Sequence, residues 1–278
     1  MANFGVFMFP ADYAIQPVAL AREVESRGLD MLFFPEHSHI PVSRKSPFPG
    51  GGELPREYSH THDPFVALGA AAAVTERIRL GTGICLVVER DPIQLAKEVA
   101  SLDVISNGRF ILGIGGGWNA EEMENHGARF AERWKRVREK VLAMKAIWRD
   151  DEAEFHGRYV DFDPIWSWPK PVQAGGPPIW MGGNSKWTPD RVAKYCDGWM
   201  PIGGRGGVDL AAMHAACERR GRNPDEITLC SFYVPAEAKA VDRALEQGFT
   251  ELLFPLPPAP PDAVRPELDR IAELKARC

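Results

Sequence analysis

Hydrophobic and polar positions follow one repeating pattern along the chain: a short apolar run, then a longer amphipathic stretch. The runs have the length of buried strands, and the stretches between them have the three-to-four-residue spacing of helices. The predicted strands cover residues 3–9, 29–34, 78–88, 109–114, 178–181, 198–201, 227–234 and 251–254. Eight strand–helix units of this size predict an α/β fold, specifically a (β/α)8 TIM barrel rather than a doubly wound sheet.

Two segments interrupt the regular alternation. A loop rich in Pro, Gly and His spans residues 36–63, and an insertion with a predicted hairpin at 155–163 spans residues 150–177. Three consecutive glycines at 50–52 and several prolines give the loop the hinges of an active-site lid. We therefore expect one TIM-barrel domain over residues 1–278, with a lid after strand two and an insertion before strand five.

Composition excludes several classes of function. The net charge is −5 and no Lys/Arg run stands out, so nucleic acid is not an expected partner. No apolar run is long enough to span a bilayer, the chain begins directly in a strand pattern, and five cysteines form no CxxC pair. We expect a cytoplasmic homodimer with reduced thiols, which binds a small-molecule substrate and not a membrane.

Two predicted strand ends are rich in glycine. Ligands of such barrels bind at the carboxyl ends of the strands, and glycine there lets backbone N–H groups approach a ligand closely. A helix that starts just beyond offers further N–H groups to a phosphate. The candidate cofactor-binding residues are Gly115, Gly116, Gly117 and Trp118 after strand four, and Gly182, Gly183, Asn184 and Ser185 after strand five.

The charges after these two ends differ. Glu121, Glu122 and Glu124 crowd the helix after Trp118 and would repel an anion, whereas Lys186 and Arg191 follow Ser185. We therefore place a phosphate near residues 182–185 and assign residues 115–118 to another part of the cofactor. Locally, Asn119 is a predicted helix N-cap with Glu122 as its capping-box partner.

Histidines support a competing hypothesis. His37 and His39 follow strand two, and a His-x-His pair at a barrel strand end binds metal in some hydrolases. Strand ends four, five, six and eight supply only Gly or Pro, so we expect no metal site. His60 and His62 are interpreted as ordinary loop residues before an N-cap at Asp63, whereas His37 is placed to move a proton.

Several stretches together resemble the luciferase-like monooxygenase family, in its branch of oxidoreductases that use the deazaflavin coenzyme F420. The resemblance covers nearly the whole chain in order, although FMN-dependent members share most of these stretches. The matching stretches are LFFPEH at 32–37, RLGTGIC at 79–85 with RDP at 90–92, SNGRFILGIGGGW at 106–118, AEFHGRYV at 153–160 and MGGNS at 181–185.

The resemblance implies roles for individual residues. Glu36 and His37 match an acid–His pair whose histidine lies near the reactive ring, although F420-dependent members commonly have Asp at the first position. Gly83 and Ile84 match a bulge that often holds a non-proline cis peptide against that ring. Residues 115–118 and 182–185 match segments that contact the ribityl and phosphate groups.

The implied activity is hydride transfer between coenzyme F420 and a small organic substrate. His37 would handle the proton, with Glu36 orienting it or touching the ring. Trp166, Trp168 and Phe155 of the insertion are candidates for an apolar wall, with core packing as the alternative. Two other functions stay open: an FMN-dependent monooxygenase, and a non-catalytic cofactor-binding protein of the same fold.

Overall fold

The strands of the computed structural model, which describes residues 2–203 and 208–278, form a closed parallel barrel. Around the barrel the order is β1-β10-β9-β8-β7-β4-β3-β2, so the predicted TIM barrel is confirmed. Two further strands, β5 and β6, form a separate antiparallel hairpin in the insertion. The strands are β1 Asn3–Phe7, β2 Met31–Phe34, β3 Arg79–Thr82, β4 Phe110–Ile114, β5 Glu152–His156, β6 Asp161–Trp166, β7 Ile179–Gly182, β8 Gly198–Met200, β9 Thr228–Phe232 and β10 Glu251–Pro255.

Helices connect successive strands and surround the barrel. Three short 3-10 helices lie at Val87–Glu89, Phe130–Glu132 and Pro224–Glu226 of the described residues. The α-helices are α1 Pro17–Ser26, α2 Glu57–His60, α3 Pro64–Ala72, α4 Pro92–Ile105, α5 Ala120–Asn125, α6 Arg133–Arg149, α7 Thr188–Tyr195, α8 Leu210–Glu218, α9 Ala238–Glu246 and α10 Pro261–Arg277. None of the helices in the described ranges is long and apolar enough to cross a membrane.

Side-chain alternation along the strands divides the core into two parts. Met31 and Phe33 of β2 belong to a cluster that fills the barrel interior, whereas Leu32 and Phe34 pack in the layer between strands and helices. This alternation is the period-two consequence of strand geometry. Large side chains therefore fill the barrel interior, so a cavity for a ligand is expected at the carboxyl ends of the strands.

Local capping follows the sequence closely. The Asp63 carboxylate accepts hydrogen bonds from the backbone N–H groups of Phe65 and Val66 at 2.8 and 3.0 Å, with Pro64 at the first helical position. The Asn119 side chain accepts from Glu122 N at 3.3 Å. Both predicted N-caps are confirmed, and each satisfies N–H groups that the helix itself leaves without partners.

The third predicted strand, 78–88, is too long. β3 ends at Thr82, a cis peptide bond joins Gly83 to Ile84, and a 3-10 helix follows at Val87–Glu89. The apolar run continues beyond β3 because this turn is itself buried, so hydrophobicity alone could not locate the end of the strand.

Candidate active site at the carboxyl ends of the strands

A cavity of about 510 Å³ opens at the carboxyl ends of the strands. This volume lies within the range of small-molecule and cofactor sites. Its wall is formed by Phe7, Phe9, Pro35, Glu36, His37, Phe48, Pro49, Gly50, Tyr58, Gly83, Ile84, Leu86, Gly115, Gly116, Gly117, Trp118, Trp134, Gly182, Gly183, Met200, Ile202, Gly203, Phe232 and Tyr233. Of the predicted site residues, all but Asn184 and Ser185 line it.

His37 forms a buried pair with a carboxylate that the sequence interpretation assigned elsewhere. Its Nδ1 lies 2.7 Å from Glu122 Oε2, and the side chains of His37 and Glu122 are only 6% and 1% exposed. The other Glu122 oxygen accepts a hydrogen bond from Ser38 N at 3.1 Å. The capping-box role predicted for Glu122 is therefore wrong, because its carboxylate turns from its own helix start toward the end of β2.

Glu36 makes its hydrogen bonds to residues other than His37, while its alternative role, contact with the cofactor ring, stays a prediction. Glu36 Oε2 accepts from Leu86 N at 2.5 Å, and Oε1 accepts from Arg90 Nε at 2.6 Å. Arg90 also pairs with Asp63 and Glu98 at 2.5 and 2.9 Å. Glu36 thus ties the end of β2 to the turn after β3. Burial lowers the pKa of Arg90, but the adjacent carboxylates, Glu36 foremost, raise it by more and keep the guanidinium charged.

An aromatic enclosure surrounds His37. The rings of Phe9, Tyr58 and Trp118 have centroids 6.5, 5.1 and 5.8 Å from the imidazole. Phe48 packs against both Tyr58 and Trp118. Trp118 therefore belongs with His37 and the 36–63 loop, which supplies Phe48 and Tyr58 to the same enclosure.

The 36–63 loop is fastened to the start of α5. Ser46 N donates to both Glu121 oxygens at 3.0 and 3.1 Å, and Ser46 Oγ donates to the same carboxylate. Ala120 N in turn donates to Ser46 Oγ at 3.0 Å. The hydrogen bonds to Glu121, of which the one from the Ser46 hydroxyl has the largest effect, lower its pKa to about 2. The carboxylate that holds the loop therefore stays ionised at neutral pH.

The glycines after β4 are required by protein neighbours. A Cβ at Gly115 would overlap Ile84, and one at Gly116 would lie 2.6 Å from the Trp134 ring. Gly117 combines a φ of +65° with a Met123 methyl 2.6 Å from the Cβ position. These positions line the cavity, but packing already accounts for the absence of side chains there.

The glycines after β7 differ from each other. A Cβ at Gly182 would lie 2.9 Å from Ile84, the side chain that also excludes one at Gly115. Gly183 has φ +112°, and the nearest atom to its Cβ position is Thr188 Oγ1 at 3.9 Å. Gly183 therefore exposes its backbone to open cavity space, as a phosphate-binding position requires.

The next two residues face the protein rather than this cavity. Asn184 donates to Ile202 O at 3.0 Å and accepts from Ile202 N at 2.8 Å, which ties the end of β7 to the segment after β8. Ser185 Oγ lies 3.0 Å from Thr188 Oγ1, and Arg191 Nη1 donates to it at 3.4 Å. Their expected cofactor contacts stay predictions, while their structural contacts are evident.

Gly83 and Ile84 lie where the resemblance placed them. The peptide bond between them is cis, and both residues line the cavity wall. The Ile84 side chain reaches between the β4 and β7 ends, where it faces Gly115 and Gly182. Ile84 therefore explains two of the glycines that first indicated the site.

The other histidines lie in the loop as interpreted. His60 Nδ1 lies 3.1 Å from Asp12 Oδ1, and His62 Nε2 lies 3.3 Å from Gln16 Oε1. The structure as described over 2–203 and 208–278 brings together no group of three or more His, Cys, Asp or Glu side chains suited to a metal ion.

The insertion does not supply an apolar wall to the cavity. Trp166 and Trp168 are 78% and 58% exposed, and neither they nor Phe155 line it. The Trp166 indole donates to Glu152 Oε1 at 3.3 Å within the β5–β6 hairpin. Two roles were considered for these tryptophans, core packing and cavity lining. Because both side chains are exposed and lie outside the cavity wall, they have neither role.

A second group of buried charges lies behind the pair formed by His37 and Glu122. Glu89 has a 4% exposed side chain, and its Oε1 has no hydrogen-bond partner. Burial and the nearby carboxylates, Glu122 foremost among them, raise the pKa of Glu89 to about 9. Lys140 donates to the carbonyls of Val88 and Arg90 at 2.9 and 2.5 Å, and burial lowers its pKa to about 8.

Comparison with known proteins defines the class. The profile of the luciferase-like monooxygenase family matches residues 10–276. An uncharacterized protein of Mycobacterium tuberculosis is 40% identical over 289 aligned positions, which cover 99% of each chain. The chain therefore belongs to the luciferase-like monooxygenase family, whose members are mostly oxidoreductases and monooxygenases.

Solved structures show the same fold with different cofactors. The monooxygenase RslO1 from Streptomyces bottropensis has a TM-score of 0.81 at 20% identity, covering 99% of both chains. An F420-dependent secondary alcohol dehydrogenase, bound to an F420–acetone adduct, has a TM-score of 0.78 at 16% identity, covering 98% of both chains. The oxygenating constituent of 3,6-diketocamphane monooxygenase from Pseudomonas putida, in complex with FMN, has a TM-score of 0.64 at 20% identity, covering 89% of this chain and 72% of that chain. Similar folds thus occur with F420 and with FMN, and a cofactor of one of these two kinds is plausible.

Proposed function

We propose that this protein is an oxidoreductase that transfers a hydride between the deazaflavin coenzyme F420 and a small organic substrate. The observation that carries the proposal is the buried pair of His37 Nδ1 and Glu122 Oε2, 2.7 Å apart, at the wall of a largely apolar cavity. Such a pair is suited to holding and releasing one proton beside a hydride-transfer centre.

The cavity fits a flat, phosphate-bearing cofactor. Ile84, Met200 and Phe232 offer apolar surface to a ring system. Gly183 presents backbone to open space at φ +112°, where a phosphate could approach without meeting a side chain. When bound, the deazaflavin supplies a carbon-centred hydride donor or acceptor that moves two electrons together.

The protein's own contribution is positioning and one proton. Glu122 fixes the imidazole through Nδ1, and Nε2 makes no hydrogen bond to a described residue. We propose that Nε2 exchanges the proton with the substrate oxygen while Glu122 stabilises the charged imidazolium. Phe48 and Tyr58 of the 36–63 loop would exclude water from this step.

An FMN-dependent monooxygenase is the alternative, favoured by the family match and by Glu36, which stands where F420-dependent members commonly have Asp. The test is to titrate the purified protein with F420 and with FMN and to follow absorbance and fluorescence. We expect tighter binding of F420, weakening as salt rises. Micromolar FMN binding without F420 binding would favour the alternative.

An activity panel then separates enzyme from binding protein. Reduced F420 would be offered with enones and ketones, and oxidised F420 with alcohols and sugar phosphates. Turnover of any substrate would exclude a purely cofactor-binding role, whereas tight F420 binding without turnover across a broad panel would count against an enzyme.

A further inference from the structure

The wall of the active-site cavity carries no positive side chain among the residues that the structure describes: none of them is Lys or Arg. Arg90, the cation paired with Glu36, already contacts three carboxylates and does not line the cavity. In the proposed function the bare backbone at Gly183 is taken by the cofactor phosphate. A carboxylate or phosphate on a substrate would therefore be buried here without a partner, which is strongly unfavourable.

Aromatic rings from two parts of the fold supply much of the wall instead. One group, described above, surrounds His37. In the other group, Phe7 of β1 stacks on Phe232 of β9 with a centroid distance of 4.0 Å and an interplanar angle of 25°. The Tyr233 ring lies 5.3 Å from that of Phe7. Such walls favour flat, unsaturated molecules, which pack against aromatic faces and edges.

Tyr233 has an unusual backbone for a bulky residue. Its φ is +73°, and its side chain is 53% exposed where it lines the cavity. Glycine would adopt this conformation without strain, whereas a tyrosine does so at a cost in stability. Residues held in such conformations are concentrated at functional sites. Because the half-exposed ring contributes little to the core, contact with a ligand accounts for a tyrosine here.

We propose that the substrate is an uncharged molecule with a flat, aromatic or conjugated body next to the reacting carbon–oxygen group, and that Tyr233 selects for that body. The inference rests on the proposed function, which supplies the hydride and the proton. With an aryl ketone, the carbonyl carbon accepts the hydride and its oxygen accepts the proton from His37 Nε2. The ketone is thereby reduced to the alcohol as the reduced cofactor is oxidised.

The first test measures the effect of charge with two probes of the same shape. Wild-type protein and reduced F420 are offered 4-acetylbenzamide, which is neutral, and 4-acetylbenzoate, which is an anion. We expect kcat/KM to be at least roughly tenfold higher for the amide, because the carboxylate would lose its hydration without gaining a cation. Equal values for the two probes, or a preference for the anion, would overturn the uncharged class.

A cationic probe completes this series, because aromatic walls also bind quaternary ammonium groups. The probe is (4-acetylphenyl)trimethylammonium, and we expect its kcat/KM to be lower than that of the amide. A higher value for the cation would overturn the uncharged class.

The second test concerns Tyr233 and uses acetophenone and cyclohexyl methyl ketone, which differ in having a flat or a puckered ring. The ratio of their kcat/KM values is compared between variants, so that the difference in intrinsic reactivity cancels. Tyr233→Leu should lower the ratio roughly 3- to 10-fold, and Tyr233→Phe, which keeps the ring, should retain it.

Tyr13→Leu makes the same change outside the cavity wall and is the matched control for Tyr233→Leu. It should keep the wild-type ratio. An unchanged ratio in Tyr233→Leu, or an equal fall in Tyr13→Leu, would overturn the selecting role of Tyr233.

Binding measured without a cofactor separates this inference from the proposed function. In saturation-transfer NMR of the cofactor-free protein, acetophenone and 4-acetylbenzamide should give clear signals and 4-acetylbenzoate a much weaker one. If the protein does not bind F420, the proposed function falls, and this preference still decides the class of ligand. If F420 binds but the amide and the carboxylate give equal NMR signals, or acetophenone gives none, only the substrate class is overturned.

Discussion

The two sides of the active-site cavity are built on different principles. On the first side, His37, Glu122 and Trp118 bring acidic and aromatic groups together at the ends of β2 and β4. On the second side, Gly183 presents bare backbone after β7, and the positive charge of Arg191 lies behind the cavity wall, where it contacts Ser185 and the Trp134 ring. We call these the proton side and the anchor side.

The comparison shows why glycine at a strand end is not by itself evidence of a ligand. The glycines after β4 avoid overlap with Ile84, Trp134 and Met123, whereas Gly183 faces open space. The same residue type thus serves packing on the proton side and access on the anchor side. Substitutions on the proton side should therefore affect turnover, and those on the anchor side should affect cofactor affinity.

His37→Ala should have the largest effect. Losing a general acid or base lowers turnover by roughly 10²–10⁴-fold, and cofactor affinity should change far less because the anchor side is untouched. Steady-state kinetics and a cofactor titration measure the two effects. His60→Ala and His62→Ala are the controls and should retain near-normal turnover; undiminished turnover in His37→Ala would leave this residue a packing role.

Glu122→Gln should have the next largest effect. A hydrogen bond to a charged group contributes about 1.5–3 kcal/mol, so kcat should fall roughly 10- to 100-fold with little change in KM. The amide keeps the size of the side chain but cannot stabilise an imidazolium as a carboxylate does. Glu124→Gln, on the exposed part of the same helix, is the control. An equal loss in both variants would contradict a specific role for the pair.

Glu89→Gln tests the buried charges behind the proton side through stability. The folded protein holds the Glu89 proton up to a pKa of about 9, whereas the unfolded chain releases it near 4.5. Native stability should therefore fall as pH rises from 4.5 to 9, and the neutral amide should remove this dependence. We expect the variant to gain about 2 kcal/mol over wild type at pH 8 and little at pH 5.

Urea unfolding at the two pH values measures the gain of the Glu89 variant. The exposed Glu218→Gln is the control and should show no pH-dependent gain. If Glu89→Gln is less stable than wild type at pH 8, the ionised carboxylate contributes a favourable interaction and the assignment is wrong.

Gly183→Ala sharpens the contrast between the two sides and should have the smallest effect. The new methyl group enters cavity space, so cofactor affinity should fall about three- to tenfold. The φ of +112° is also unfavourable for alanine, so the free energy of unfolding should fall by about 1 kcal/mol. This backbone requirement means that a larger substitution, such as Gly183→Val, would confuse binding with folding. Gly248→Ala, at φ +88° with no neighbouring atoms within 4 Å, reproduces the backbone cost without touching the cavity.

Gly115→Ala completes the comparison from the other side. Its methyl group would overlap Ile84. Overpacking of this kind costs about 1–3 kcal/mol of stability, so the variant should have a lower melting temperature.

The Gly183 and Gly248 variants together test the anchor side. Equal affinity losses in Gly183→Ala and Gly248→Ala would show that the anchor side acts through stability rather than through contact.

Much of the site was visible in the sequence because its signals are local. Apolar runs with strand periodicity gave the barrel, and strand ends placed His37, Gly83 and Gly183 at its mouth. The role of Glu122 was missed because a carboxylate three residues after an N-cap residue satisfies the capping-box pattern equally well. No local pattern distinguishes these two uses of one glutamate.

The sequence by itself determined the order of the strands, the N-caps at Asp63 and Asn119, and which segments reach the mouth of the barrel. Only the tertiary structure decided which carboxylate serves His37, since Glu122 lies 85 positions along the chain from it. It also placed Tyr233 beside an aromatic ring of β1 at the cavity wall. The physical reason is range: caps and periodicity depend on neighbours a few residues apart, whereas these contacts exist only once the barrel has closed.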